Sequence, residues 1–312
     1  MIKYQHVTIS DDKWELDTKS TNEKSLQLFI SNKCNLNCEN CFSKNLTDEQ
    51  KKDMKLEDIV ALVKQNPGFR RVNLMGGEPL IHKNINEIIT NIKKINGRRI
   101  SIFTNALMLN RLKSKCEPVR LAVSFHELQH SVPSRKPLIP VLNILNEYHN
   151  RGSEVVLIFL IDSYNCNKVK DVVNYIDKNV LWIKTLRIGL MRNEDDYWND
   201  NSPGVISFEK YKDIIQNLVN TYEGRLSFEI LTKGVLIFNN NKQDGCSVDR
   251  FRNVYTDLTY TDCVMGVSSN LHKPVSEDKK FLPSHKTCNL TNKPHCLIYK
   301  VRLKNKFHTL NK

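Results

Sequence analysis

The sequence predicts an α/β protein: six βα units build a parallel sheet flanked by helices, and a small cysteine-rich α+β module follows. Three observations carry this prediction. Apolar residues recur at i, i+3, i+4 and i+7 in five segments, the stripe of an amphipathic helix. Short β-rich runs alternate with them at roughly 30-residue intervals, the length of a βαβ unit. From about Tyr222 the helical period stops, and cysteines and prolines cluster instead.

The elements follow in chain order. A polar extension occupies residues 1–25, and the first strand is predicted at Leu26–Ser31. A helix with Leu56, Ile59, Val60 and Val63 on one face leads to a strand at Arg71–Met75, then to a helix carrying Ile85, Ile88, Ile89 and Ile92. The strand Arg99–Thr104 is followed by a helix of poorer pattern near Leu107–Lys115, and the strand Leu121–Phe125 by a helix with Leu138, Val141, Leu142 and Leu145. Val155–Ile161 is apolar on both faces, as a buried parallel strand must be. A helix with Val169, Val172, Val173 and Ile176, a strand at Thr185–Gly189 and a helix with Tyr211, Ile214, Ile215 and Leu218 complete a core over 26–222. Residues 223–312 hold the β-like runs Leu226–Leu231 and Val235–Phe238, the prolines Pro274, Pro283 and Pro294, and four cysteines, a composition that suits a module stapled by metal.

The whole chain has 312 residues, 40% hydrophobic and 26% charged, which excludes disordered, collagen-like and coiled-coil architectures. Met1–Glu15 lacks the apolar core of a signal peptide, and the apolar run Val155–Ile161 falls far short of the roughly 20 residues that span a bilayer. A cytoplasmic protein without membrane association is expected. In a reducing compartment nine cysteines point to metal binding or catalysis and not to a disulfide framework. The net charge of +13 suits an acidic partner, but basic residues spread along the whole chain are also an ordinary solvated surface.

A parallel sheet puts its working loops at the carboxyl ends of the strands. Directly after the first strand come Cys34, Cys38 and Cys41, three thiolates at C-x-x-x-C-x-x-C spacing. They can hold three irons of a 4Fe-4S cube and leave the fourth open; zinc is the alternative for soft thiolates, although closed zinc sites use four ligands. The second strand runs into Gly76, Gly77, Glu78 and Pro79, where paired glycines let a ligand approach the backbone and the Glu78 carboxylate can accept from a bound ammonium.

Together, the cysteine triplet and the GGEP turn one strand later closely resemble the radical S-adenosylmethionine (SAM) superfamily, over roughly residues 26–222. The resemblance implies a partial TIM-like (β/α)6 barrel. It also implies a 4Fe-4S cluster on Cys34, Cys38 and Cys41 whose open iron chelates SAM, and cleavage of SAM to a 5'-deoxyadenosyl radical that abstracts a hydrogen atom from substrate. Gly76, Gly77, Glu78 and Pro79 match the motif that holds the SAM amino group. Asn105 lies in Thr104-Asn105-Ala106, which resembles the family's T-N-G, and Ser124 matches a position that contacts carboxylate or ribose. Arg187 is a candidate partner of the SAM carboxylate, with a charged residue closing the barrel as its alternative. Asn40 stands where an aromatic residue is usual, which leaves adenine contact to Phe42 or to backbone.

In the tail, Cys246, eleven residues, Leu258, four residues and Cys263 resemble the opening of the SPASM and twitch extensions, with Leu258 where that pattern has glycine. Cys246, Cys263, Cys288 and Cys296 suffice for one further 4Fe-4S cluster, so a twitch-like form is expected; a zinc ribbon using His272, His285 or His295 is the alternative. Of the two remaining thiols, Cys116 is expected to be buried. Cys166, after the fifth strand, is a candidate hydrogen-atom donor to a substrate radical, or else a loop cysteine ahead of a helix. The acidic and aromatic loop Glu194–Trp198, His126 and Glu127 are further candidates at the same mouth.

The resemblance implies a substrate that is a ribosomally made peptide, to be epimerised, crosslinked or similarly modified. The alternatives are a small alcohol or sugar undergoing dehydrogenation and, from another class, a zinc-stapled basic binding protein. An external one-electron reductant of flavodoxin or ferredoxin type is implied. Some 25 residues precede the first strand, so leader recognition is expected on the barrel surface or through a separate leader-binding protein.

Overall fold

A computed structural model describes residues 7–10, 13–16, 24–39, 41, 51–129, 131–132, 134–191, 204–231, 251–261, 273–274 and 277. The N-terminal segment forms a separate antiparallel hairpin of β1 (Val7–Ser10) and β2 (Lys13–Leu16). The main sheet runs through β3 (Ser25–Ser31), β4 (Arg71–Gly76), β5 (Arg99–Thr104), β6 (Arg120–Phe125), β7 (Glu154–Ile161) and β8 (Thr185–Leu190), each parallel to the next. These six strands match the six that the alternation predicts.

The sheet continues past them on both sides. β9 (Ser227–Leu231) adds in parallel to β8, and β10 (Phe251–Val254) adds in parallel to β3. β11 (Thr259–Thr261) and β12 (Lys273–Pro274) extend that second edge antiparallel. The strand predicted at Leu226–Leu231 is therefore part of the core sheet.

Side chains alternate across a strand, and here the two faces differ in kind. Leu26, Leu28, Ile30, Val72, Leu74, Ile102, Leu121, Val123, Leu157, Phe159, Leu186, Ile188, Phe228 and Ile230 share one buried core with the helices. The helices are α1 (Leu56–Gln65), α2 (Ile85–Lys93), α3 (Leu142–Asn150), α4 (Val169–Asn179) and α5 (Phe208–Thr221). α2 buries Ile85, Ile88, Ile89 and Ile92, and α4 buries Val169, Val172, Val173 and Ile176, the predicted stripes; each such side chain contributes about 1.5–3 kcal/mol of transfer free energy. The opposite face carries Gln27, Asn73, Ser101, Ser124, Arg187 and Glu229, with a small apolar cluster of Ala122, Val156 and Ile158. Helices on one face and a mixed inner face on the other are the arrangement of a partial TIM-like barrel.

One predicted element differs. The stretch near Leu107–Lys115 is two 3-10 turns, Leu109–Arg111 and Ser114–Cys116, instead of an α-helix. The Asn86 side chain, from α2, donates to the Arg111 carbonyl and accepts from Lys113 N–H, taking backbone groups that a helix would have paired internally. Leu109, Leu112 and Cys116 still reach the core, so burial is achieved without a continuous helix.

Candidate functional site

Cys34, Cys38 and Cys41 lie on the loop leaving β3, and the structure shows what shapes that loop. Ser31 Oγ donates to Asp53 at 2.7 Å, Lys33 pairs with the same carboxylate at 3.2 Å, and Asn32 N–H donates to the Lys52 carbonyl. On the other side, Gly77 N–H donates to the Ser31 carbonyl and Glu78 N–H to the Lys33 carbonyl, both at 2.8 Å.

These last two bonds show why glycines are needed there. A Cβ on Gly76 would meet the Ser31 oxygen at 2.0 Å, and one on Gly77 the Lys33 oxygen at 2.4 Å. Gly76 also has φ +142°, a backbone that favours glycine. The space opposite both α-carbons is filled by the cysteine loop itself, so the pair lets that loop approach closely.

Glu78 is likewise built into the frame. Its carboxylate is 1% exposed and accepts from Leu80 N–H at 3.1 Å, Thr104 Oγ1 at 2.8 Å and Asn105 N–H at 2.8 Å. Burial raises its pKa above the ordinary range, and these three donors oppose the rise. A carboxylate has about four acceptor sites, so one on Oε2 is left for an ammonium. Pro79 opens the turn Pro79–Ile81 and is buried. Asn105 reaches across to the loop, its Nδ2 donating to Asn35 Oδ1 at 2.9 Å. Ala106, the departure from T-N-G, takes φ +64°, so the left-handed position persists without its glycine.

Cys38 is buried, and Cys34 and Cys41 are half-buried. Burial pushes the Cys34 thiol up to about 11 and raises Cys38 as well, and the nearby charge of Cys41 adds to both. Leu36 N–H, 3.4 Å from Cys34 Sγ, and the Lys136 ammonium act in the opposite sense. Metal coordination removes the cost of a buried thiolate, so this donor set fits a metal cluster. Among the described residues no three His, Cys, Asp or Glu side chains converge to hold one ion. Three thiols spread along one short loop suit a polynuclear cluster, in which each thiolate takes its own iron.

Other candidates fall in different places. Ser124 lies on the inner face, where its Oγ accepts from Lys136 Nζ at 2.8 Å. Arg187 is ion-paired with Glu229 on β9; burial lowers its pKa and Glu229 counters this. That is the barrel-closing alternative weighed from sequence. Cys166 is 5% exposed within the helix-side core, its Sγ 3.6 Å from the Ser163 carbonyl. The Asp162 turn directs it there: the Asp162 carbonyl accepts from Cys166 N–H, and its carboxylate from Tyr164 and Asn165 N–H. Cys116 is fully buried against Asn86. Glu127 is held by Arg135 at 3.4 Å and by Ser131. Cys246, Cys263, Cys288, Cys296, Phe42, the loop Glu194–Trp198 and the tail histidines lie outside the described residues.

Sequence reasoning missed Lys136, on the loop after β6, whose charge reaches Cys34, Cys38, Glu78 and His126. No motif marks it; its position depends on the loop returning, with His126 N–H donating to the Lys136 carbonyl at 2.9 Å. Also missed was a tie between the loop and the C-terminal strands. Asn32 Nδ2 donates to Thr256 Oγ1 at 2.8 Å, and Phe29 stacks on Tyr255 at 4.9 Å.

A half-barrel of parallel strands, with three loop cysteines after its first strand braced against a glycine-rich turn after the second, is consistent with a radical SAM fold. The model of the Radical SAM superfamily matches residues 28–176, just under half of the chain. Among curated proteins, the chain is 35% identical over 100 residues to a probable GTP 3',8-cyclase of Methanocaldococcus jannaschii, covering 31% of this chain and 34% of the relative. It is 27% identical over 176 residues to the GTP 3',8-cyclase of Clostridium perfringens, covering 52% and 54%. The chain thus spans between a third and about half of the length of these relatives. Among solved structures, native anSMEcpe with bound AdoMet superposes with a TM-score of 0.62 at 16% identity, covering 82% of this chain and 78% of that one. Streptococcus suis SuiB bound to its precursor peptide SuiA gives 0.61 at 15%, covering 80% and 61%. At these identities the likeness is one of fold. Among the described residues no helix is long and apolar enough to cross a membrane.

Proposed function

We propose that this chain is an enzyme that binds a 4Fe-4S cluster through Cys34, Cys38 and Cys41 and reductively cleaves SAM to abstract a hydrogen atom from a substrate. The observation that carries the reading is the mutual bracing of the cysteine loop and the Gly76–Glu78 turn through the two 2.8 Å backbone bonds. The cluster, when bound, supplies the electron that breaks the SAM carbon–sulfur bond. The chain's part is to fix the loop, keep a buried carboxylate next to it with one acceptor site to spare, and screen the thiolates with Lys136. An external flavodoxin or ferredoxin would deliver the electron.

For the substrate we favour a ribosomally made peptide. The fold shared with a protein solved on its precursor peptide supports this reading. A second reading, a small nucleotide or similar metabolite, is supported by the partial identity to GTP 3',8-cyclases. The tail cysteines Cys246, Cys263, Cys288 and Cys296 are assigned to an auxiliary 4Fe-4S cluster.

The test is anaerobic reconstitution followed by iron analysis and assay of 5'-deoxyadenosine. About eight irons per chain and SAM cleavage that vanishes in Cys34→Ala, Cys38→Ala and Cys41→Ala are expected. Unchanged SAM with a full iron complement, or zinc in a colourless protein, would refute the reading. Any short peptide encoded next to the gene and GTP are then offered separately in deuterated water and weighed: one mass unit gained indicates epimerisation, and two lost indicates crosslinking or dehydrogenation.

A further inference from the structure

The loop that carries Cys34, Cys38 and Cys41 is fixed at its base from three directions, and one hold comes from far along the chain. Residues 52–54 act from one side: Met54 N–H donates to the Ile30 carbonyl at 2.8 Å, and Asn32 N–H to the Lys52 carbonyl at 3.0 Å. Gly77 and Glu78 act from the β4 side through their bonds to Ser31 and Lys33. The third hold is the turn after β10. Backbone pairing of β10 with β3 stops at Leu28, opposite Val254, and side chains continue the contact beyond it. Phe29 stacks on Tyr255 at 4.9 Å, and Asn32 Nδ2 donates to Thr256 Oγ1 at 2.8 Å. Thr256 is 9% exposed, so this bond is sheltered from competing water. The turn that presents it is tied to itself. Tyr255 N–H donates to the Thr259 carbonyl at 2.9 Å, Leu258 N–H donates to the Tyr255 carbonyl at 3.0 Å, and the Asp257 carboxylate accepts from Thr259 N–H and Oγ1. Leu258 has φ +60°, a left-handed backbone that disfavours a side chain, and its packing against the core holds it there. The backbone bonds pin residues 31–33, and Thr256 locks the Asn32 side chain between them, two residues before Cys34.

We propose that Thr256 is a positioning residue for the cysteine loop: through Asn32 it keeps the exit of β3 from rotating, and so holds Cys34 and Cys38 in the arrangement that cluster binding needs. The turn after β10 is then a working part of the catalytic site. The proposal rests on the reading of these cysteines as cluster ligands. A site held by its supporting contacts loses rate steeply when they slacken, and a misplacement of about 1 Å can cost up to a hundredfold. Two other holds on the loop remain when Thr256 lets go, so a smaller loss is expected here.

The test compares Thr256→Val, which keeps the shape and removes the hydroxyl, with Thr256→Ser, which keeps the hydroxyl. In the full-length apo-protein, alkylation by iodoacetamide is followed at each thiol by mass spectrometry. Cys38, 7% exposed, is expected to react at least about threefold faster in Thr256→Val, while Cys116, fully buried in the core, reacts as in wild type. In the reconstituted holoenzyme the same variant is expected to form 5'-deoxyadenosine at least about fivefold more slowly at saturating SAM. Thr256→Ser is expected to restore both. A smaller rise at Cys38 would overturn the proposal, as would a rise matched at Cys116, which marks general loosening, or SAM cleavage as fast as in wild type. A wild-type enzyme that loads iron yet fails to cleave SAM would instead refute the proposed function, and the apo-protein labelling would still decide whether Thr256 positions the loop.

Discussion

Replacing Gly77 by alanine puts a methyl group 2.4 Å from the Lys33 carbonyl oxygen and 3.1 Å from that of Asn32. Ordinary contact begins at 3.4 Å, so the Lys33 carbonyl must retreat by about 1 Å. Both obstacles are backbone, held by Lys52 and Asp53 behind them, so no flexible side chain can absorb the shift. The retreat breaks the Glu78 N–H bond to Lys33, which costs about 1 kcal/mol, and overpacking adds about 1–3 kcal/mol. A net loss of about 3 kcal/mol lowers the melting temperature of a domain this size by about 6–12 °C. The displaced loop carries Cys34 one residue on, so iron loading falls as well. The assay is thermal unfolding of the apo-protein alongside iron per chain after reconstitution. Gly68→Ala is the control, because nothing lies within 4 Å of its Cβ. A Gly77→Ala protein that melts within 2 °C of wild type and takes up full iron would refute the bracing argument.

Further expectations concern groups around the same frame. His126 has its pKa lowered to about 2, so the unfolded chain binds a proton that the folded one refuses between about pH 6.5 and 2. Its contribution is present above pH 6.5 and lost on acidification, about 2 kcal/mol from pH 7 to 5; His126→Phe should flatten that part of the apo-protein's stability profile. Glu78→Gln turns an amide donor toward Thr104 and Asn105, and unfolding by denaturant should show a loss of about 1–3 kcal/mol. Arg187→Ala leaves Glu229 unpaired in a largely buried site, so a loss of about 2–4 kcal/mol is expected, with SAM affinity in calorimetry close to wild type. Cys166→Ala should lower the melting temperature by a few degrees through the cavity it leaves, while iron per chain stays at the wild-type value.

Much of the scaffold is legible because its causes are local. The stripes of α2 and α4 are periodic in sequence, and the run from Val155 to Ile161 could only be a strand covered on both sides. The cysteine triplet is readable for the same reason: its spacing is contiguous. What sequence could not supply depends on distant partners. The helical expectation near Leu107–Lys115 fails because Asn86, more than twenty residues earlier, competes for the backbone. Arg187 is spoken for by Glu229, and strand parity would have revealed this had Ser227–Leu231 been placed in the same sheet. Of the two readings of Cys166, its burial ahead of α4 favours the loop cysteine, with the Asp162 turn holding it there. The glycines after β4 are legible as a close approach, and the structure shows the cysteine loop making one. Lys136 carries no signal at all until the β6 loop is folded.

The pairing of β10 with β3 has a consequence for biogenesis. Leu28 lies opposite Val254, so the edge of β3 over Ser25–Leu28 awaits a strand made about 220 residues later. At about 5–20 residues per second the ribosome needs roughly 10–45 s to deliver it. During that time the nascent sheet offers a bare edge of four buried residues, Ser25–Leu28, to any neighbouring chain. The same strand leads straight into the cysteine loop, so a chain stalled or truncated before residue 251 would expose that edge and the loop that follows it together. Synthesis of the tail thus ends the interval in which this protein is most prone to aggregate.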